Sequence, residues 1–141
     1  MPISKGNADW EGGFRDGSGT MKPAHAGEAK FSLGSRFEGQ PNSNPEELIG
    51  AALSGCFSMA LTVGLEKAGF KPAHVHTTAD VHLDKVGDGF SITRIDLAAE
   101  ASVPGADLAH FERIAEETKK GCPVSRALAG TQITLKAKLA S

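Results

Sequence analysis

The stretch from Asn44 to Gly69 carries the strongest local signal in the chain. Asn44 is an N-cap residue, Pro45 takes the first helical position, Glu47 follows three residues after the cap, and the apolar run that ensues ends only at Gly69. The pattern predicts one long helix to about Ala68, with Lys67 at the negative end of its dipole. Ile49, Ala52, Leu53, Cys56, Met59, Ala60 and Val63 recur at i, i+3, i+4, i+7 and are expected to form its buried face. Ser54, Ser58, Thr62 and the Gly and Cys positions within Leu48 to Leu65 suit a core helix better than a membrane span.

The other elements are read around that helix. Residues 3 to 14 and 18 to 24, with Asp16-Gly17 between them, read as a hairpin, and Lys30 to Phe37 as a third short strand. These segments are poor in apolar residues, so they are expected to face solvent or another chain. Ala73 to Val86 and Gly89 to Val103 alternate apolar and polar residues around Gly87-Asp88-Gly89 and predict a long second hairpin. Asp107 to Lys120 reads as a helix with Leu108, Phe111, Ile114 and Ala115 on one face. Pro123 opens a short helix to Leu128, and Thr131 to Leu139 alternates as a last strand. The order βββ-α-ββ-αα-β is that of an α+β fold, with antiparallel hairpins and the helices gathered on one side.

Size and charge narrow the function. At 141 residues, 40% of them apolar, the chain is expected to form a single domain over 1–141 that buries on the order of two-thirds of its unfolded surface. A net charge of -2 provides no basic field for nucleic acid. The N-terminus, MPISKGNADW, has no apolar signal-peptide core, and the chain is expected to be cytoplasmic, with no membrane partner. In that compartment a structural disulfide is not expected, so the cysteines are either inert thiols or transiently oxidised ones.

There are two cysteines, in contrasting settings. Cys56, in SGCFSMAL, falls on the expected buried face of the long helix; it is either a small core residue or, if a cation reaches it, a reactive thiol. Arg36, in Ser35-Arg36-Phe37-Glu38-Gly39, is the candidate cation, the plainer reading being a surface arginine. Cys122, in Gly121-Cys122-Pro123, stands at a helix start, where unsatisfied N–H groups favour a thiolate, and by electrostatics alone is the more acidic; a capping residue without chemistry is the alternative. The spacing excludes a C-x-x-C motif and any four-cysteine zinc site.

Other constellations are weaker. His74, His76 and His82 share one strand face, and a metal-binding module built on them is a minor alternative to solvent-facing histidines. Ser54 and Ser58 lack a G-x-S-x-G context, and Gly17-Ser18-Gly19-Thr20 lacks the rest of a nucleotide fingerprint.

Arg36-Phe37-Glu38-Gly39, Asn44-Pro45-Glu46-Glu47-Leu48-Ile49-Gly50-Ala51-Ala52, Gly-Cys56-Phe57-Ser58-Met59-Ala60-Leu61 and Gly121-Cys122-Pro123-Val124-Ser125 together resemble the OsmC proteins, of the OsmC/Ohr group of hydroperoxide-detoxifying thiol peroxidases. The position of Arg36 favours the OsmC branch. The resemblance implies an intertwined homodimer in which sheets from both chains wrap central helices. It also implies a peroxidase serving defence against oxidative or osmotic stress, without metal or other cofactor. In that reading Cys56 is the peroxidatic cysteine, Cys122 resolves it, Arg36 activates it and Glu46 orients Arg36. An organic hydroperoxide is the implied substrate, with Phe57 and Met59 near it, and an external dithiol, of lipoyl type, the implied reductant. Glu46 precedes Cys56 by ten residues, about 15 Å of rise in an unbroken helix, so the two are not expected to touch. A non-catalytic protein of the same fold, binding a small apolar ligand or acting as a stress scaffold, is the alternative.

Overall fold

The computed structural model describes residues 1–140. Its elements, in chain order, are β1 (Gly6–Glu11), β2 (Ser18–Pro23), β3 (Ala29–Phe31), α1 (Leu33–Phe37), α2 (Pro45–Lys67), β4 (His74–Val86), β5 (Gly89–Ser102), α3 (Leu108–Gly121), α4 (Pro123–Ala127) and β6 (Gln132–Leu139). The chain divides into two compact units, Met1–Leu48 and the residues from Ile49 onward. The architecture is mixed α+β.

The N-terminal unit is a three-stranded antiparallel sheet in the order β1-β2-β3, followed by α1. The turn between β1 and β2 is held by the Gly13 N–H donating to Asp16 Oδ1 at 3.0 Å and the Gly17 N–H to the Gly13 carbonyl at 2.8 Å. The expected third strand stops at Phe31 because Ser32 starts a helix instead. Ser32 and Ser35 exchange both bonds of a capping box, Ser35 N–H to Ser32 Oγ at 3.2 Å and Ser32 N–H to Ser35 Oγ at 2.9 Å. None of the apolar side chains described in this unit is fully buried, and every residue of β1 is exposed.

In the second unit β4, β5 and β6 form one sheet with β5 in the middle. β4 pairs antiparallel with β5, as the hairpin reading predicts, but β6 runs parallel to β5. The parallel pairing follows from the connection: α3 and α4 lie between the two strands, and a helical crossover brings the chain back to the end from which it set out.

Ile95, Leu97, Ala99, Ala101 and Val103 are all buried, every second residue of β5 and its continuation. A β-bulge between His82 and Leu83 of β4 pairs His82 with Arg94 and Leu83 with Ile92, leaving Thr93 as the extra residue. It absorbs the change of phase between Ile92 and Ile95 that the sequence carries.

α2 begins where the sequence predicts, with the Glu47 N–H donating to Asn44 Oδ1 at 2.8 Å. It ends at Gly69, whose φ of 91° is the left-handed conformation that closes a helix; the Phe70 N–H then reaches the Leu65 carbonyl at 3.0 Å. Its buried line differs from the expected one. Leu53, Phe57, Leu61 and Leu65 are fully buried among β5 and α3 residues, whereas Met59 is 74% exposed and Val63 48%. The helix is apolar almost all round, so periodicity alone does not select a face; the sheet and α3 do. By length and composition α2 also satisfies the criterion for a membrane span, and four of its large side chains are buried in this unit's core. On α3, Asp107 caps the helix through the His110 N–H at 3.0 Å, and Phe111, Ile114 and Ala115 face inward, while Leu108, expected on that face, is exposed. Burying each large core side chain contributes about 1.5–3 kcal/mol.

Candidate active site

The two cysteines meet within the second unit. Cys56 lies on α2; Cys122 is both the C-cap of α3 and the N-cap of α4, in extended conformation, with Pro123 setting the first turn of α4. The Cys122 N–H donates to the Thr118 carbonyl at 2.9 Å, which fixes the direction of the side chain. Cys122 Sγ then lies 2.8 Å from Cys56 Sγ, as donor to it, and both thiols are free.

Their exposure inverts the contrast that the sequence suggests. Cys122 is 1% exposed and belongs to the core, while Cys56 sits half-buried at the rim, one step around α2 from the line of Leu53 and Phe57. Burial pushes the Cys56 thiol up, and its hydrogen bond to Cys122 adds to the rise. Burial also opposes ionisation of Cys122, but hydrogen bonds from Cys56, Ser125 and Val124 outweigh it and bring that thiol down. In the neutral pair Cys122 donates to Cys56, and the hydrogen bonds around Cys122 favour ionisation of that thiol over Cys56.

Arg36 and Glu46 meet within the N-terminal unit. Arg36 occupies the last turn of α1, which the Ser35 hydroxyl ties to the Ser43 carbonyl at 2.6 Å. Asn44, besides capping α2, donates from Nδ2 to the Ser35 carbonyl at 3.3 Å. These bonds bring the end of α1 beside the first turn of α2, where Arg36 Nε meets Glu46 Oε1 and Nη2 meets Oε2, both at 2.9 Å. The pair is bidentate, with Glu46 nearly buried and the guanidinium about a third exposed. Glu47 does not close the expected capping box; its Oε1 accepts from the Ser43 hydroxyl at 2.7 Å. A cavity of about 200 Å³ beside Arg36 is walled by Trp10, Phe14, Phe31, Leu33 and Phe37. The sequence reading misses this cavity; Trp10, Phe14, Phe31 and Phe37 are the only signal for it in the chain, and their convergence depends on the pairing of β1, β2 and β3.

Phe57, expected near the substrate, and the three histidines of the minor metal-binding alternative lie elsewhere. Phe57 is fully buried in the core and does not line a substrate site. His74 and His76 are exposed on β4, and His82 turns to Asp96 Oδ2 at 2.9 Å; among the described residues no three His, Cys, Asp or Glu side chains are grouped to hold a metal ion.

Comparison with known proteins places the chain in a family. Residues 38–138 match the family model described as OsmC-like protein. The chain is 48% identical over 139 residues to peroxiredoxin OsmC of Escherichia coli strain K12, covering 97% of this chain and 96% of that one. It is 28% identical over 93 residues to the organic hydroperoxide resistance protein of Xanthomonas axonopodis pv. citri, covering 65% and 63%. The crystal structure of an OsmC-like protein from Mycoplasma pneumoniae superposes with a TM-score of 0.79 at 14% identity, covering 99% of both chains. The chain therefore belongs to the OsmC-like protein family.

Proposed function

We propose that this protein is a thiol peroxidase that reduces organic hydroperoxides to alcohols, with Cys56 as the attacking and Cys122 as the resolving cysteine. The observation that carries the reading is the pair of free sulfurs 2.8 Å apart with unequal access: Cys56 reaches the surface and Cys122 does not. The names of the Escherichia coli and Xanthomonas relatives point to the same chemistry.

The Cys56 thiolate attacks the terminal peroxide oxygen, the O–O bond breaks, and the alkoxide takes a proton and leaves as the alcohol. Cys56 is left as a sulfenic acid. Cys122 then attacks the Cys56 sulfur, hydroxide departs and is protonated to water, and an external dithiol, of lipoyl type, returns both sulfurs to thiols. Cys56 must hold the charge for the first step, although its pairing with Cys122 favours the reverse. We assign the correction to Arg36, held in its bidentate grip by Glu46, which lowers the Cys56 thiol and polarises the peroxide. The aromatic cavity beside Arg36 suits the alkyl group of the substrate.

The assembly we propose is a homodimer in which the two units of each chain act as one domain across 1–141. The uncovered apolar side of α2 around Met59 and Val63, and the lack of a core in the N-terminal unit, support it. The family match also crosses the boundary between the units. We place the protein in the cytoplasm, away from membranes and nucleic acid, with no metal required.

Titrating the protein with an alkyl hydroperoxide while counting thiols tests the reading. Two thiols should be lost per chain, with an internal Cys56–Cys122 disulfide formed. Cys56→Ser should abolish turnover, and Cys122→Ser should leave a trappable sulfenic acid on Cys56. Thiols unchanged by hydroperoxide would overturn the peroxidase and leave the non-catalytic ligand-binding or scaffold protein.

A further inference from the structure

Two short helices of this chain start with the same spacing and end up differently. In α1 the N-cap Ser32 and Ser35, three residues on, satisfy one another through both capping-box bonds. In α4 the N-cap is Cys122 and the residue three on is Ser125. Here the Cys122 N–H is already engaged by the Thr118 carbonyl, which closes α3, so the donor that a serine at this position would accept is missing. Ser125, 5% exposed, is left with a buried hydroxyl oxygen that has no hydrogen-bond partner. Such groups are uncommon and costly unless something completes them.

The side chain that the capping geometry brings toward Ser125 is that of Cys122. The Ser125 hydroxyl is among the groups that bring the Cys122 thiol down, yet its oxygen forms no hydrogen bond in the dithiol. That is what the state of the sulfur dictates. As a thiol, Cys122 directs its proton at Cys56 and is a weak acceptor; as a thiolate it is a strong one. The titratable group facing it is Cys56 on α2, while α3 presents the Thr118 carbonyl and α4 presents Val124 and Ser125.

We propose that the Ser125 hydroxyl is the hydrogen-bond donor for the Cys122 thiolate, a positioning residue for the step that closes the Cys56–Cys122 disulfide. In that step the Cys122 sulfur forms a bond to the Cys56 sulfur as the Cys56 S–O bond breaks, hydroxide leaves and takes up a proton as water, and the Ser125 proton stays on its oxygen. The consequence for turnover rests on the two-cysteine reading above; the hydrogen bond itself does not.

The experiment therefore has two arms. In a Cys56→Ser background, where Cys122 is the sole thiol, its ionisation is followed by ultraviolet thiolate absorbance against pH. Adding Ser125→Ala should raise the Cys122 pKa by about one unit, roughly tenfold less thiolate at a given pH below it, and Ser125→Thr, which keeps the hydroxyl, should not. An unchanged pKa in Ser125→Ala would overturn the proposal. In the second arm both cysteines are kept and a single turnover with alkyl hydroperoxide is followed. Ser125→Ala should form the Cys56 sulfenic acid at the wild-type rate and close the disulfide about tenfold more slowly near neutral pH. Closure at the wild-type rate, or equal slowing of both steps, would overturn it. Should the wild-type thiols ignore hydroperoxide, the peroxidase reading fails while the titration still decides the role of Ser125.

Discussion

Cys122 and Cys56, 66 residues apart in the chain, stand 2.8 Å apart in space, one sealed in the core and the other at its rim. A sulfenic acid on Cys56 would thus form within reach of its resolving partner, and the partner would be screened from the oxidant. The arrangement depends on a backbone event rather than on either helix alone. α3 ends and α4 begins at one residue, and that residue is Cys122.

Removing Arg36 and removing Glu46 should not be equivalent. Arg36→Met leaves a nearly buried carboxylate without its cation, whereas Glu46→Gln leaves a guanidinium that water can reach. We expect Arg36→Met to cost about 2–3 kcal/mol and Glu46→Gln about 1 kcal/mol in urea unfolding, with the double variant well short of the sum. Additive costs would show that the pair is not coupled.

The two apolar sides of α2 should respond differently. Phe57→Ala opens a cavity in the core and should cost about 3–5 kcal/mol. Met59→Glu should leave the chain folded but convert the proposed dimer to monomer, because a charge would be buried in the interface. Sedimentation checks it: a Met59→Glu dimer as tight as wild type would remove this face from the interface.

Asp96 should govern part of the acid stability. Its carboxyl is lowered from 3.8 to about 2, first by the Thr134 hydroxyl and then by His82, with Arg94 adding to the effect. A folded-state value below the unfolded one stabilises the fold above the unfolded pKa, and the contribution is lost as pH falls toward 2. Asp96→Asn should therefore be less stable than wild type at neutral pH, and its stability should fall less between pH 4 and 2, a range set by the same two values. Parallel stability curves for the two proteins over that range would count against the assignment.

At Gly64 a Cβ would stand 2.9 Å from Ile114 Cγ2 of α3. Gly64→Ala gains about 1 kcal/mol of helix propensity and incurs about 1–3 kcal/mol of overpacking, so the net effect should be destabilising. Thermal unfolding measures it, and a higher midpoint would mean that Ile114 yields without cost.

Local signals account for much of the fold. Asn44-Pro45 and Gly69 bound α2 because a cap, a fixed φ and a left-handed residue act through neighbouring atoms. The alternation on β4 and β5 and the cap at Asp107 are local in the same way. α1 falls where the sequence predicts strand, because five residues do not hold a helix by propensity; Ser35 and Asn44 hold it through the Ser43 carbonyl and the Ser35 carbonyl. The parallel β6 was legible in principle, since two helices separate it from β5.

By itself the sequence determined the order of the elements apart from α1, the start and stop of the long helix, and the presence of two cysteines, with an arginine ahead of that helix and a glutamate in its first turn. Which side of α2 is buried, that Cys122 rather than Cys56 is sealed, that Glu46 grips Arg36 with both oxygens, and that Ser125 is left without a partner were decided only in three dimensions. The physical reason is common to all four. An apolar helix has no preferred face until a sheet and a second helix cover one, and a thiol, a carboxylate or a hydroxyl takes its chemistry from groups that the fold brings to it.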